Sequence, residues 1–389
     1  MSEINSSNFK KEHGDLAPDL VGVTELTSPY FFVPPSGNTA ERPENCEPGT
    51  LRFNTDIGSL EVFRGKTIGW EQIQRRESQY LGGDPANSVI TTSTNSNRGT
   101  GTRGVFWRGH PNTDVIDFIT IETQGNATDF GNALSSNRQG GACASRTRSF
   151  CLGRDSASDT IEKIEFASTG NSVDFCNATQ SMNGSPAGFA NATRGLWAGG
   201  GPGAIDVIQY ITMSSTANAV DFGNLTQART NDPNAVASST RGCIGGGSNE
   251  PSSAVYNIID FITIATTGNA QDFGDLTQTR DSAAAGSNSI RGIFGGGRYP
   301  TSAQNYIDFI TIATTGNAID FGDLTTTAGI GGACASRTRY VRAIGGAPGG
   351  STNTIEFVEI ATTGNAKDFG DLSVVRGQCP GASNGHGGL

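Results

Sequence analysis

Apolar residues in this chain come in short runs separated by Gly, Asn and Ser, and no window sustains a helical period. The clearest stretch starts after Asp281. A small-residue run (282–289) is followed by RGIFGGG (291–297), YIDFITIATTG (306–316) and AIDFGDL (318–324). The last three carry β-branched and aromatic residues bounded by turn formers, which is strand patterning. TTGN between the last two offers Gly and Asn for a hairpin that needs positive φ. In IDFITI both alternating faces are apolar, with Ile307 and Phe309 on one side and Ile310 and Ile312 on the other. Such a strand has to be covered on both faces. The pattern predicts an all-β chain.

The same four segments recur. Asp-Phe stands at 129, 174, 221, 272, 320 and 368, giving spacings of 45, 47, 51, 48 and 48 residues. That is the period of a four-stranded propeller blade, roughly 40 to 50 residues. Six units predict a six-bladed β-propeller over residues 76–389. From centre to rim each blade should run small-residue strand, RG-x-F-GG strand, IDFITI strand, DFGD strand, because crowding at an axis favours Ala, Gly and Ser. After the sixth DFGDL the chain continues as GQCPGASNGHGGL, which reads as one more innermost strand. Pairing inside the first blade would close the ring and remove an unpaired edge. The first unit has its own weak candidate for that strand at 87–94, which would leave the terminal segment as a tail.

Composition narrows the function classes. Glycine, at 54 of 389 residues, is about twice its usual share, and charged residues fall to 16%. The net charge of −10 argues against an electrostatic grip on nucleic acid or anionic lipid. No apolar stretch approaches the ~20 residues of a membrane span, and the opening lacks the apolar core of a secretory signal, so a soluble cytoplasmic product is expected. The cysteines, at 46, 143, 151, 176, 243, 334 and 379, contain no C-x-x-C pair and read as reduced, buried thiols. Cys143 and Cys334 fall in two copies of GGACASRTR and should be inert members of the small-residue strand.

Residues 1–75 have a different composition, with prolines at 34, 35, 43 and 48 and no copy of the repeat. An extended arm is expected over 1–48 and a small three-strand β module over 49–75, with strands at 50–54, 59–63 and 70–74. Leu51, Phe53, Leu60, Val62, Trp70 and Ile73 bury too little to hold three such strands alone, so the module needs a partner surface, either another chain or its own propeller.

Two wordings carry resemblances. The diglycines at 82–83, 199–200, 245–246, 295–296 and 345–346 resemble those of kelch and galactose-oxidase-like propellers, although DFGD replaces the later Tyr and Trp of a kelch blade. The fuller IDFITIATTGNAxDFGDL resembles repeats in structural proteins of tailed phages of marine cyanobacteria and similar hosts. GTLRFNTDIGSLEVFRG followed by Trp70 is similar to a module of phage tail-fibre and other virion proteins, carried here by Gly49, Arg52, Phe53, Asn54, Asp56, Gly58, Leu60, Glu61 and Trp70. The resemblance implies a virion protein assembled in the host cytoplasm. It also implies contacts with other virion proteins and a homo-oligomer anchored through Leu51, Phe53, Leu60, Val62 and Trp70.

A search for catalytic chemistry returns little. DFG occurs without the HRD loop or strand-borne lysine of a kinase, no nucleophile elbow between a strand and a helix is found, and the histidines, 13, 110 and 386, have no metal-ligand spacing. No catalytic residue, metal or cofactor is assigned. An arginine opens the second strand of each unit (103, 148, 194, 241, 291 and 339), in phase with the Asp of Asp-Phe. This suggests repeated ion pairs or turn caps, or else an arginine ring for an anionic ligand. The loops after the diglycines vary in length, which marks a recognition face for a host-surface glycan or receptor, with His110, Asn249, Arg298 and Tyr299 as its contacts. Drift on an unused rim is the plainer alternative. The expected function is thus a non-enzymatic virion structural protein, with a glycan-binding or glycan-active propeller as the alternative.

Overall fold

A computed structural model of the protein describes residues 34–43, 46–56, 59–66, 69–72, 102–230, 234–249, 254–299, 302–347 and 350–389. The expectations for Ile73 and Gln74, for the glycines at 82 and 83 and for a strand at 87–94 lie outside them. The chain divides into two compact units, Met1–Tyr80 and Leu81–Leu389. Among the described residues the regular structure is β, with one 3₁₀ turn at Thr39–Glu41 and no α-helix.

Among the described residues the second unit holds six four-stranded antiparallel sheets, numbered I (103–137 with 381–383), II (141–182), III (187–229), IV (234–275), V (284–323) and VI (332–371). Sheet V shows the plan: Ala284–Ser287, Arg291–Gly295, Tyr306–Thr311 and Ile319–Asp323 follow each other across the sheet in the order expected from the pattern. In sheet I the first strand comes from the far end of the chain. Gly381–Ser383 pairs with Arg103–Phe106 in the register Gly381↔Phe106, Ala382↔Val105 and Ser383↔Gly104. The first strands of all six sheets neighbour one another. Gly381–Ser383 meets Gly141–Ala144, and contact passes on through Ala187–Ala190, Asn234–Ala237, Ala284–Ser287 and Gly332–Ala335 back to Gly381–Ser383. The arrangement is propeller-like.

The third strand is covered on both faces, as its composition required. Ile307 belongs to a core cluster shared with Val358 and Ile360 of sheet VI, whereas Ile310 and Ile312 pack with Ile259 and Phe273 of sheet IV. Phe273, Phe321 and Phe369 of the Asp-Phe pairs are all buried, and Phe321 meets Phe309 edge-on at 5.9 Å.

The glycine after Asp-Phe and the TTGN turn prove to be two halves of one joint. Gly322 has φ of +146° and sits beside a register shift between Ile307 and Asp308. A Cβ there would run into the carbonyl of Gly364, in the TTGN turn of sheet VI. That turn docks on the outer strand of sheet V: Gly364 N–H donates to Phe321 O, Ala366 N–H to Asp323 O, and Asn365 Oδ1 accepts Asp323 N–H. Where Cys176 replaces this glycine in sheet II, the facing turn of sheet III carries Ala217 in place of glycine.

The in-phase arginines and aspartates do not pair as expected. Each arginine reaches across to the next sheet and donates to a main-chain carbonyl at the end of its third strand: Arg103 to Phe166, Arg148 to Met213, Arg194 to Ile264, Arg241 to Ile312, Arg291 to Ile360 and Arg339 to Ile121. Four of the guanidinium groups also stack on phenylalanines of their own sheet, as Arg291 does on Phe309 at 4.7 Å, and Arg194 stacks on Tyr210. The aspartates are exposed, and Asp129 caps the N–H of Gly131. The reason is geometric: the arginine opens the second strand, so its reach ends at a neighbour's strand end and not at the rim.

Buried ion pairs exist, but with other acids. The third-strand acid, Asp117, Glu162, Asp260, Asp308 or Glu356, lies at 0 or 1% exposure and faces a buried arginine. Arg229 meets Asp260 at 2.6 Å, Arg280 meets Asp308 at 2.7 Å, Arg108 meets Glu162 at 2.8 Å, Arg376 meets Asp117 at 3.1 Å and Arg342 meets Glu356 at 3.6 Å. The sixth position holds neutral Gln209. Desolvation is the largest influence on the Arg229 and Arg280 guanidinium groups and lowers their pKa, against the pull of the facing carboxylates.

Candidate functional site

In an antiparallel four-strand sheet, the connection from second to third strand and the crossing to the next sheet share one end. His110, Asn249, Arg298 and Tyr299 all fall at that end, in the second-to-third connections of sheets I, IV and V. His110 is exposed and fixed by its main chain: its N–H donates to Gly377 O at 2.7 Å and its carbonyl accepts Ser351 Oγ at 3.3 Å. Its Nδ1 lies 3.4 Å from Arg138 Nη1, and Arg138 pairs with Asp155 at 3.1 Å. Asp155 thus ends a His110–Arg138–Asp155 chain spanning sheets I and II.

Arg298 is committed within sheet V. Its Nε lies 3.3 Å from Asp281 Oδ1, its Nη2 donates to Ser282 Oγ at 3.1 Å, and its main chain bridges to Asp281 and Ala303. Tyr299 beside it is 50% exposed, with its ring available to solvent. Asn249 lies in the two-residue strand Ser248–Asn249, paired with Ala254–Val255 as a small hairpin. Arg298 and Tyr299 thus sit on the sheet next to that of Asn249, while sheet VI stands between them and His110. The structure does not gather the four into one cleft. The loop irregularity that marked them identified a common end of the sheets.

The first unit places the second group of residues. Leu51–Asn54, Ser59–Phe63 and Trp70–Gln72 form an antiparallel meander, and Ser36–Gly37, from within the expected arm, adds a parallel strand beside Leu51–Asn54. Cross-strand pairing Leu51↔Val62 and Phe53↔Leu60 puts these four side chains on one face. Leu51 is 43% and Leu60 38% exposed.

Trp70 belongs to the opposite face. It pairs with Phe63, the ring centroids being 5.5 Å apart, lies under the Arg52 guanidinium at 5.8 Å, and donates from Nε1 to Pro43 O at 3.3 Å. That face mixes aromatic and polar side chains and is covered: Phe63, Arg52, Asn54 and Glu61 are buried, Arg42 pairs with Glu61, and Asn54 Nδ2 donates to Glu61 Oε1 at 3.0 Å. The Arg42 hydrogen bond holds the Glu61 carboxyl below the usual carboxylate range. The missed signal was the alternation within each strand, where Arg52 and Asn54 alternate with Leu51 and Phe53, and Glu61 stands between Leu60 and Val62.

Among the described residues no three His, Cys, Asp or Glu side chains stand together so as to hold a metal ion. No helix among them is long and apolar enough to cross a membrane. No family model matches the sequence, and no curated protein matches it.

Proposed function

We propose that the chain is a non-enzymatic virion structural protein, a tail-fibre, appendage or decoration subunit. Its second unit is a closed six-bladed, kelch-like β-propeller, and its N-terminal unit is the anchor to other virion proteins and to further copies of itself. The observation that carries this reading is the apolar face of Leu51, Phe53, Leu60 and Val62, on which both leucines are exposed, in a sheet whose other face is already covered by its own residues. A four-strand sheet with one apolar face and no core beneath it gains stability when a second surface covers that face. The cyclic contacts of the six first strands and the entry of Gly381–Ser383 into sheet I support ring closure. The wording of the repeat and of the N-terminal module supports the virion assignment.

Mass spectrometry of purified particles tests the assignment, and absence of the chain from particles overturns it. Deletion of residues 1–75 tests the anchor. Residues 76–389 should stay folded and β-rich by circular dichroism, no longer enter particles, and be monomeric by light scattering where the full chain is oligomeric. The exposed ring of Tyr299 favours a second reading, glycan binding at the loop end, since aromatic faces stack on sugar rings. Retention of host-surface oligosaccharide by the full chain, lost in Tyr299→Ala, is the outcome that reading requires.

A further inference from the structure

Beyond Gly381–Ser383 the chain turns across the end of the sheets opposite the loop end. Asn384 N–H donates to Arg103 O at 3.1 Å and its Oδ1 accepts Arg103 N–H at 2.8 Å, copying the turn that Asn288 makes with Arg291 in sheet V. The next residues then reach four other sheets. The His386 imidazole bonds Ala144 O of sheet II through Nε2 at 2.7 Å, and Gly387 N–H donates to Ser287 O of sheet V at 2.8 Å. A Cβ on Gly387 would collide with the carbonyls of Asn288 and Ala237, and one on Gly388 with the carbonyl of Ala190 in sheet III. Behind this segment lies a cavity of about 50 Å³, lined by the first strands of all six sheets and by His386. The space suits one or two water molecules.

The hydrogen bonds fix the state of the ring. Ala144 O only accepts, so Nε2 carries the hydrogen, and Nδ1 accepts the N–H of Gly388 at 3.1 Å. Both nitrogens are satisfied in the neutral Nε2–H tautomer. A proton added at Nδ1 would face the Gly388 N–H, donor against donor.

We propose that residues 384–389 are a plug closing this end of the axial void, and that protonation of His386 unseats it. The surroundings act in the same sense. Burial, and after it the neighbouring charge of Arg146, holds the imidazole down to about 4 from 6.5, against the hydrogen bond to Ala144 that raises it. Arg146 comes from the turn after Gly141–Ala144, and Arg337, from the equivalent turn of sheet VI, acts on Arg146 in turn. On the sheet I side Glu122 is occupied by the N–H of Thr102, the residue against Gly385. Because the seated pKa lies below the free value, seating is fully favoured above pH 6.5 and weakens as pH falls toward 4. The opening constant should rise by about two orders of magnitude over that window.

Hydrogen exchange read by mass spectrometry on the full chain, between pH 4 and 7.5 and corrected for intrinsic rates, tests the plug. Amides of residues 385–389 should lose protection as pH falls while peptides from sheets III and IV keep theirs. His386→Gln retains a donor for Ala144 O and cannot titrate, so its protection should be flat with pH. Gly388→Ala should leave the segment open throughout. The proposal is overturned if the parent profile is flat, if His386→Gln follows the parent's loss, or if the sheets open together with the segment. Should the glutamine fail to seat, NMR titration of His386 in the parent decides: a midpoint near 4 in the Nε2–H tautomer supports the plug, and one near 6.5 refutes it.

Discussion

Replacing Asp308 by Gln tests whether the buried acid–arginine pairs hold neighbouring sheets in register. In the parent Asp308 Oδ2 receives Arg280 Nη2 at 2.7 Å and the N–H of Thr277 at 3.0 Å, while Oδ1 receives the Thr277 hydroxyl at 2.7 Å. Both charged side chains have no solvent exposure. Asp308→Gln leaves the guanidinium buried without a counter-charge, and Arg280→Met does the same to the carboxylate. Each should cost about 3–5 kcal/mol. The double variant recreates a pairing the chain already uses between sheets II and III. There Met182 ends the outer strand where Arg280 would stand, and Gln209 Oε1 accepts both the N–H and the hydroxyl of Thr179, at 2.8 and 3.0 Å. Gln209 Nε2 is left buried without a partner, a deficit of about 1–3 kcal/mol that the double variant should inherit. The two substitutions together should therefore cost less than either alone, with a coupling of at least about 3 kcal/mol. Urea unfolding at pH 7, followed by circular dichroism and by the fluorescence of buried Trp107 and Trp197, measures all four corners of the cycle. Single costs below about 1 kcal/mol, or a double cost equal to their sum, would refute the reasoning.

Phe321→Ala, which empties a site between sheets V and VI, should cost about 3–5 kcal/mol in the same assay, and a parent-like melt would remove the outer strand from that core. Gly322→Ala should destabilise more than Gly316→Ala: both backbones have positive φ, but only the first has a carbonyl where the methyl would go. Thiol labelling of the native chain at pH 8 should modify Cys46 alone. The other six cysteines are buried, and burial pushes Cys176 up to about 11 and Cys243 up to about 12. Rapid reaction of a second thiol would contradict that packing.

The strands, their order across each sheet and the all-β class were legible because one chemistry repeats in each column: small residues where first strands crowd, apolar residues on both faces of the third strand. The buried acids escaped because their partners change column. Arg229 ends an outer strand and Arg280 and Arg376 follow one in the chain, whereas Arg108 and Arg342 come from the second-strand segment. Where the outer-strand column lacks arginine, at Asn137 and Ala328, one of these two supplies it, and where it carries Met182 the acid becomes Gln209. The signal was present as compensation between columns, which reading each column separately hides. The arginines that open second strands share a phase with Asp-Phe without lying near it, because the third strand stands between the two columns.

The first unit turns the usual order of a small sheet around. Its covered face joins Phe63 and Trp70 to Arg42, Arg52, Asn54 and Glu61, whose hydrogen bonds run to one another and to Asn38, so that much of the order there comes from polar contacts, although Arg52 Nη1 is buried without a partner. Leu51, Phe53, Leu60 and Val62 are left to the other face. Burying polar residues and exposing aliphatic ones is costly for an isolated sheet, and the cost falls only when the aliphatic face is covered. A sheet stabilised by its own core would place Leu51 and Leu60 inward and Arg52 and Glu61 outward. A one-residue shift in parity separates those two arrangements, and the association proposed for this unit would cover the aliphatic face.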